Sequence, residues 1–117
     1  MAAKLFGAIV RSHDGVAVID LSGEVNAGAD AQLDAAYSEA VATGASSVLL
    51  NFEAVDYINS TGIALIVGVL ARARADGRTV RACGLSDHYR EIFEITRLAD
   101  FMTIHADEAS ALAEASG

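Results

Sequence analysis

Ser47-Val48-Leu49-Leu50-Asn51-Phe52, followed after a short interval by Ile58-Asn59-Ser60-Thr61-Gly62, is the stretch on which the fold turns. The first six residues have the character of a short buried strand. Downstream, Ile63, Ile66, Val67 and Leu70 recur at the spacing of a helix face. Ser60 therefore falls near a helix N-terminus, where the first amide N–H groups lack intrahelical partners and the macrodipole is positive. A phosphate on that hydroxyl would meet donors and a favourable field, which suits a phosphorylation switch. For an arbitrary Asn-Ser-Thr-Gly string a plain helix cap is the commoner meaning, with Gly62 allowing tight packing. The position after a buried strand and before a two-faced apolar helix is what raises the functional reading.

Working outward, Leu5 to Val10 and Val16 to Leu21 are extended stretches joined by Arg11-Ser12-His13-Asp14-Gly15, and the Asp-Gly pair between apolar runs predicts a hairpin. Beyond Gly23 the period changes. Leu33, Ala36, Tyr37, Ala40 and Val41 share a helical stripe, Asn26 is placed to cap it and Gly44 to end it, so a first helix is expected over 27–43. Glu53 to Ile58 reads as a loop. A second helix over 61–75 stops at Asp76-Gly77, and a strand follows at 79–83. Ser86 caps a third helix with Tyr89, Ile92, Phe93 and Thr96 on one face. Met102 to Ile104 supplies a last strand, and Asp107 opens a final helix with Ala109, Leu112 and Ala113 inward, fraying toward Gly117. Strand and helix alternate after the hairpin, so the expected fold is a single α/β domain over 1–117. Its sheet is mixed and mainly parallel, with about five strands and about four helices.

The second helix is unusual. Ile63, Ile66, Val67, Leu70 and Ala73 cluster on one side, and Ala64, Leu65, Gly68, Val69 and Arg72 on the other, yet both sides are largely apolar. A helix facing water normally carries charge there, so this one is either covered twice or presents apolar surface to another molecule; a second covering layer is hard to supply in so small a domain, which favours the partner-facing reading. Leu65 and Val69 are the expected anchors, Gly68 permits close approach and Arg72 lies at the rim.

The chain of 117 residues carries a formal net charge of −8 and a single cysteine. That charge repels nucleic acid and anionic membrane faces at long range, and points to a protein partner bearing positive charge. The one concentrated basic stretch, Arg72, Arg74, Arg78 and Arg81, reads as a solvated helix terminus. Cys83 sits in a strand-like run and is expected to be a buried thiol. No apolar run is long enough to span a bilayer, and Met1-Ala2-Ala3-Lys4 leads into alternating sequence without a signal-peptide block, so a cytosolic protein is expected. Enzyme motifs are missing: no nucleophile elbow surrounds Ser60, and there is no nucleotide-cradling glycine loop and no metal-ligand spacing. His13, His88 and His105 are scattered singly and read as surface residues. No cofactor is expected.

Read together, these residues resemble the STAS domain family, and within it the small bacterial anti-sigma factor antagonists. Val18-Ile19-Asp20-Leu21-Ser22-Gly23-Glu24-Val25-Asn26 is similar to the family's second strand and following turn. Val48 to Phe52 with Tyr57-Ile58-Asn59-Ser60-Thr61-Gly62-Ile63 resembles its third strand and Asp-Ser-Ser/Thr-Gly-Leu signature, and the stretches Gly77 to Cys83, Ser86 to Leu98 and Ala106 to Ala111 follow its closing pattern. The resemblance implies a non-enzymatic partner-switching protein. Unphosphorylated, it binds an anti-sigma factor that is also a serine kinase, with ATP held by that partner, and phosphorylation at Ser60 releases it; a serine phosphatase is a further implied partner. Asn26, Asn59, Ser60, Thr61, Gly62, Leu65, Gly68, Val69 and Arg72 would form the partner surface. The chain departs from the pattern in having Asn59 and Asn26 where Asp is usual, which keeps capping geometry and removes charge. The alternative within the family is a scaffold subunit of a membrane transport ATPase, with Ser60 only a helix cap. A nucleotide or small-ligand sensor built on the loops beside Ser60 would lack a phosphate-cradling glycine loop and an aromatic cluster.

Overall fold

Both residues of the Asp14-Gly15 turn, at φ 47° and φ 82°, occupy the left-handed region that a two-residue hairpin loop requires to match the twist of its strands. In this computed structural model, which describes residues 5–116, the turn joins β1 (Gly7–His13) to β2 (Val16–Val25) in antiparallel register, from His13 against Val16 to Gly7 against Ser22. The chain then passes through a 3-10 turn (Ala27–Ala29) into α1 (Asp30–Ala42), β3 (Ser47–Ile58), α2 (Ser60–Ala75), β4 (Thr79–Cys83) and α3 (Asp87–Ile95). A second 3-10 turn (Leu98–Asp100), β5 (Thr103–His105) and α4 (Glu108–Ser116) follow. The five strands form one sheet in the order β1-β2-β3-β4-β5, and every pairing after the hairpin is parallel. Met1 to Lys4, read above as leading into the first strand, and Gly117, read as the end of a frayed helix, lie outside the described residues.

Alternation along the strands divides the interior in two. Ala17, Ile19, Leu21, Val48, Leu50, Phe52, Val80 and Ala82 pack with Leu33, Ala36 and Tyr37 of α1, Ile66, Val69 and Leu70 of α2 and Phe93 of α3. The opposite face carries a smaller cluster of Val16, Val18, Leu49 and Cys83 against Ala111 of α4. Crossovers between neighbouring parallel strands share one hand, which puts the three connecting helices on one face and leaves α4 to cover the other. Arg11 fastens that second layer, donating from Nη2 to Asp20 of β2 at 2.9 Å and to Glu108 at the start of α4 at 2.5 Å. The Arg11 guanidinium holds the Asp20 carboxyl below its ordinary range against the opposing effect of burial, with a further hydrogen bond from Asn51.

Three expectations are corrected. The stretch 53–58 is not a loop: β2 and β3 run on together to Val25 and Ile58, through register irregularities between Asp20 and Ser22 and between Gly23 and Glu24. It reads as a loop because β4 stops at Cys83, level with Asn51. The overhang beyond it is exposed at Glu53, Ala54, Asp56 and Tyr57, so no apolar alternation is needed there. His105 is buried at the end of β5, 3.2 Å from an Arg81 nitrogen and 3.6 Å from Glu114. In α4 the inward residues are Ala111, Leu112 and Ala115, because the helix rests on Val16, Val18, Leu49 and Cys83; Ala109 and Ala113 face outward.

Cys83 is 1% exposed, and burial, reinforced by the charge of Glu108, pushes its thiol up to about 11. Reactivity belongs to the thiolate. An aromatic disulfide reagent near neutral pH should therefore modify Cys83 only after urea unfolds the chain; rapid stoichiometric modification of the folded protein would contradict this packing.

Candidate functional site

The parallel strands β2 and β3 end in step, Val25 beside Ile58, and each is followed by an asparagine that starts a helical segment. Asn26 Oδ1 accepts the Gly28 N–H at 2.9 Å, and Asn59 Oδ1 accepts the Gly62 N–H at 2.8 Å. Both are side-chain N-caps with extended backbone, the arrangement that satisfies one of the orphan donors of a first turn. Asn59 also ties the junction to its neighbour strand by donating its own N–H to the Val25 carbonyl at 3.2 Å. On the far side, the Ile58 N–H is accepted by the Tyr89 hydroxyl of α3 at 3.0 Å.

Gly62 is the tightest point. A Cβ there would lie 2.0 Å from the Val25 carbonyl oxygen and 2.7 Å from its carbon, both backbone atoms that cannot step aside. The missing side chain thus lets the first turn of α2 sit directly on the end of β2. Ser60 and Thr61, held at that turn, are both exposed, and among the described residues the Ser60 side chain has no hydrogen-bond partner. The first turn of α2 carries no acidic residue, so its positive end is not neutralised from within. Since the first intrahelical bond runs from the Ile63 N–H to the Asn59 carbonyl, the Ser60 and Thr61 amides remain available beside the hydroxyl.

The structure rotates the expected partner face of α2. Val69, expected as an exposed anchor, is 4% exposed, and Leu65 is half-buried against the main core. Arg72 is not a free rim residue: it pairs with Asp34 of α1, reaches Ser38 at 3.5 Å and stacks 4.6 Å over the Tyr37 ring. Residues 65, 69 and 72 share one stripe of the helix, so α1 lies along that stripe and supplies the covering layer. Val67, expected inward, is instead 46% exposed. The open face is Ser60, Ala64, Val67, Gly68 and Ala71, with nothing within 4 Å of a Cβ built on Gly68. Spacings of three and four residues put this apolar strip directly in line with Ser60. Tyr89 was legible only as a core-face aromatic; its grip on the Ile58 amide has no local sequence signal.

Among the described residues no group of three or more His, Cys, Asp or Glu is placed to hold a metal, and no helix is long and apolar enough to cross a membrane. A cleft of about 810 Å³ lies at the other end of α2, between that helix and the 96–103 segment. Ser60 is exposed and does not line that cleft.

A mixed sheet with its connecting helices on one face, and an exposed serine at a capped strand-to-helix junction, defines a small α/β domain. The STAS domain family model matches residues 8–111, and the chain belongs to that family. It is 34% identical over 101 residues to a candidate anti-sigma factor antagonist, BtrV, of Bordetella bronchiseptica, covering 86% of this chain and 87% of that protein. The crystal structure of an anti-sigma factor antagonist from Mycobacterium paratuberculosis is similar with a TM-score of 0.83 at 19% identity, covering 97% of this chain and 96% of that one. The Bacillus cell fate determinant SpoIIAA in its phosphorylated form is similar with a TM-score of 0.69 at 26% identity, over 94% of this chain and 98% of that one.

The two glycines of α2 give a direct test of the junction. Gly62→Ala should destabilise the fold by about 2–4 kcal/mol, as overpacking against fixed backbone does. Gly68→Ala, in open space, should stabilise it by up to about 1 kcal/mol through helix propensity. Urea midpoints measure both, and equal effects of the two substitutions would refute the close approach.

Proposed function

We propose that this chain is an anti-sigma factor antagonist that acts as one STAS unit by partner switching, with Ser60 as the switch. Unphosphorylated, it docks on an anti-sigma factor through the junction and the outer strip of α2, and the sigma factor is released. The observation that carries the reading is the placement of Ser60: exposed, at the head of a capped helix, and in line with an uncharged strip of about three turns formed by Ala64, Val67, Gly68 and Ala71. The names of its relatives and structural neighbours support the same role.

The physics of the switch is local. Phosphorylation would add about −1.5 to −2 charges at the head of an otherwise uncharged helix strip. In a desolvated interface an unmatched charge of that size costs several kcal/mol. A loss near 3 kcal/mol weakens binding roughly a hundredfold. The free protein tolerates the same phosphate, because the Ser60 and Thr61 amides and the helix dipole favour an anion there. The modification therefore penalises the complex and not the fold. ATP and the catalytic machinery would belong to the partner kinase, and a serine phosphatase would restore the docking form. This chain would be substrate and ligand, not catalyst.

Incubation with the cognate anti-sigma kinase and ATP should add one phosphate, absent in Ser60→Ala, while Ser60→Asp should bind the partner tens to a hundredfold more weakly with an unchanged melting curve. Undiminished labelling of Ser60→Ala, or full-strength binding by Ser60→Asp together with co-purification of a membrane transport ATPase, would overturn the assignment.

A further inference from the structure

A large cleft at the far end of α2 touches neither the capped junction nor Ser60. It opens where α3 ends early: Thr96 turns its hydroxyl back onto the Ile92 carbonyl at 2.7 Å, and Arg97 then takes a left-handed backbone at φ 69°. The cleft lies beside α2 at the start of β4 and β5, where Thr79 and Thr103 are exposed. The resulting space of about 810 Å³ has a floor of Leu70, Val80, Leu98 and Met102, each less than a tenth exposed, and Phe101, 56% exposed, stands at its mouth. That volume is in the range of small-molecule sites and far above what a single side chain fills.

Its walls carry three arginines in a protein of net charge −8. Arg97 is matched by Asp100 at 2.7 Å. Arg78 donates to the Ala45 carbonyl, but its Nε is buried with no hydrogen-bond partner. Arg74 is exposed, and among the described residues it has no carboxylate partner; its guanidinium stacks 5.8 Å over the Phe101 ring at the mouth. Arg97 is neutralised by Asp100 and Arg78 is directed to the Ala45 carbonyl, near Tyr37 of α1, so Arg74 is the one guanidinium left to meet a ligand above the apolar floor. Arg97 stands at a helix end where glycine is the usual occupant of that conformation, so the wall retains a guanidinium in spite of backbone strain.

We propose that this cleft binds a small amphiphilic carboxylate, its alkyl or aryl tail lying along Leu70, Val80, Leu98 and Met102 and its head group against Arg74. One negative charge fits better than two, because Asp100 already answers Arg97 and repels a second. A small anion fits better than an acidic polypeptide, because the net charge of −8 opposes the approach of a polyanion, while one carboxylate is drawn by the nearest guanidinium. This site is distant from the switch serine, with Arg74 about 20 Å along the helix axis from Ser60, although Val67 and Ala71 of the outer strip also line it.

Titrating the full chain with decanoate, with decanol as the neutral control, and following backbone amide shifts tests the assignment. Saturable binding is expected below the concentration at which decanoate forms micelles, with shifts at Leu70, Ala71 and residues 97–103. Decanol should bind about tenfold more weakly, and Arg74→Gln should weaken decanoate by about the same factor while leaving decanol unchanged. Non-saturable binding, equal affinity for decanol, indifference to Arg74→Gln, or shifts confined to the Ser60 end would overturn it. So would a cleft that responds only to the anti-sigma partner, since the surface would then belong to that interface.

Discussion

The Val25 carbonyl is met from two directions, by the N–H of Asn59 and by the bare Cα of Gly62, and the placement of α2 follows from that double contact. A strand-to-helix junction can be loose. Here the helix begins one residue after the strand ends, and the distance between them is set by backbone against backbone. That fixes which side of α2 faces the sheet. Ile66, Leu70 and Ala73 go inward, residues 65, 69 and 72 go toward α1, and the strip headed by Ser60 is left outside. The surface on which the proposed function rests is thus a consequence of an approach that only glycine allows.

The charges nearby are committed to holding this arrangement rather than to decorating it. Arg72 answers Asp34 and covers Tyr37, whose hydroxyl in turn donates to Asp76, the residue that caps the far end of α2, at 2.8 Å. Exposed pairs of this kind contribute little to stability, but they align α1 with α2 and take the cationic side chain off the outer strip. The same economy applies at the junction. Asn26 and Asn59 cap as aspartate would, without adding negative charge beside Ser60. Under the proposed switch, an uncharged strip would make a large contrast with a phosphorylated one, and in a chain of net charge −8 the strip is kept clear by its composition of Ala64, Val67, Gly68 and Ala71.

What was legible in the sequence was everything governed by local rules. Asp14-Gly15 specified the hairpin, Asn26, Ser86 and Asp107 are caps, and Gly44 and Gly77 adopt positive φ at helix ends. These signals lie within four residues of what they control. The misreadings share the opposite property. The overhang of β3 beyond Asn51 is held by Ser22 to Val25 of another strand, and Val69 is covered by a helix some thirty residues upstream. A helical wheel shows that α2 is apolar all round but not which side its neighbour will take. His105 appeared as a surface residue because its surroundings, Arg81 and Glu114, come from separate elements.

The two ends of α2 also constrain each other. Val67 and Ala71 belong both to the outer strip below Ser60 and to the wall of the cleft. A carboxylate seated under Arg74 would cover the lower half of the strip without moving any backbone, and a macromolecule docked along the whole strip would close the cleft mouth. Coupling between the sites would then be mutual exclusion over shared atoms, which requires no conformational change and acts equally in both directions. The proposed phosphorylation at Ser60 would act on the upper half alone. The helix would therefore bear two independent ways of refusing a partner, one covalent and one concentration-dependent, set about four turns apart on a rigid element.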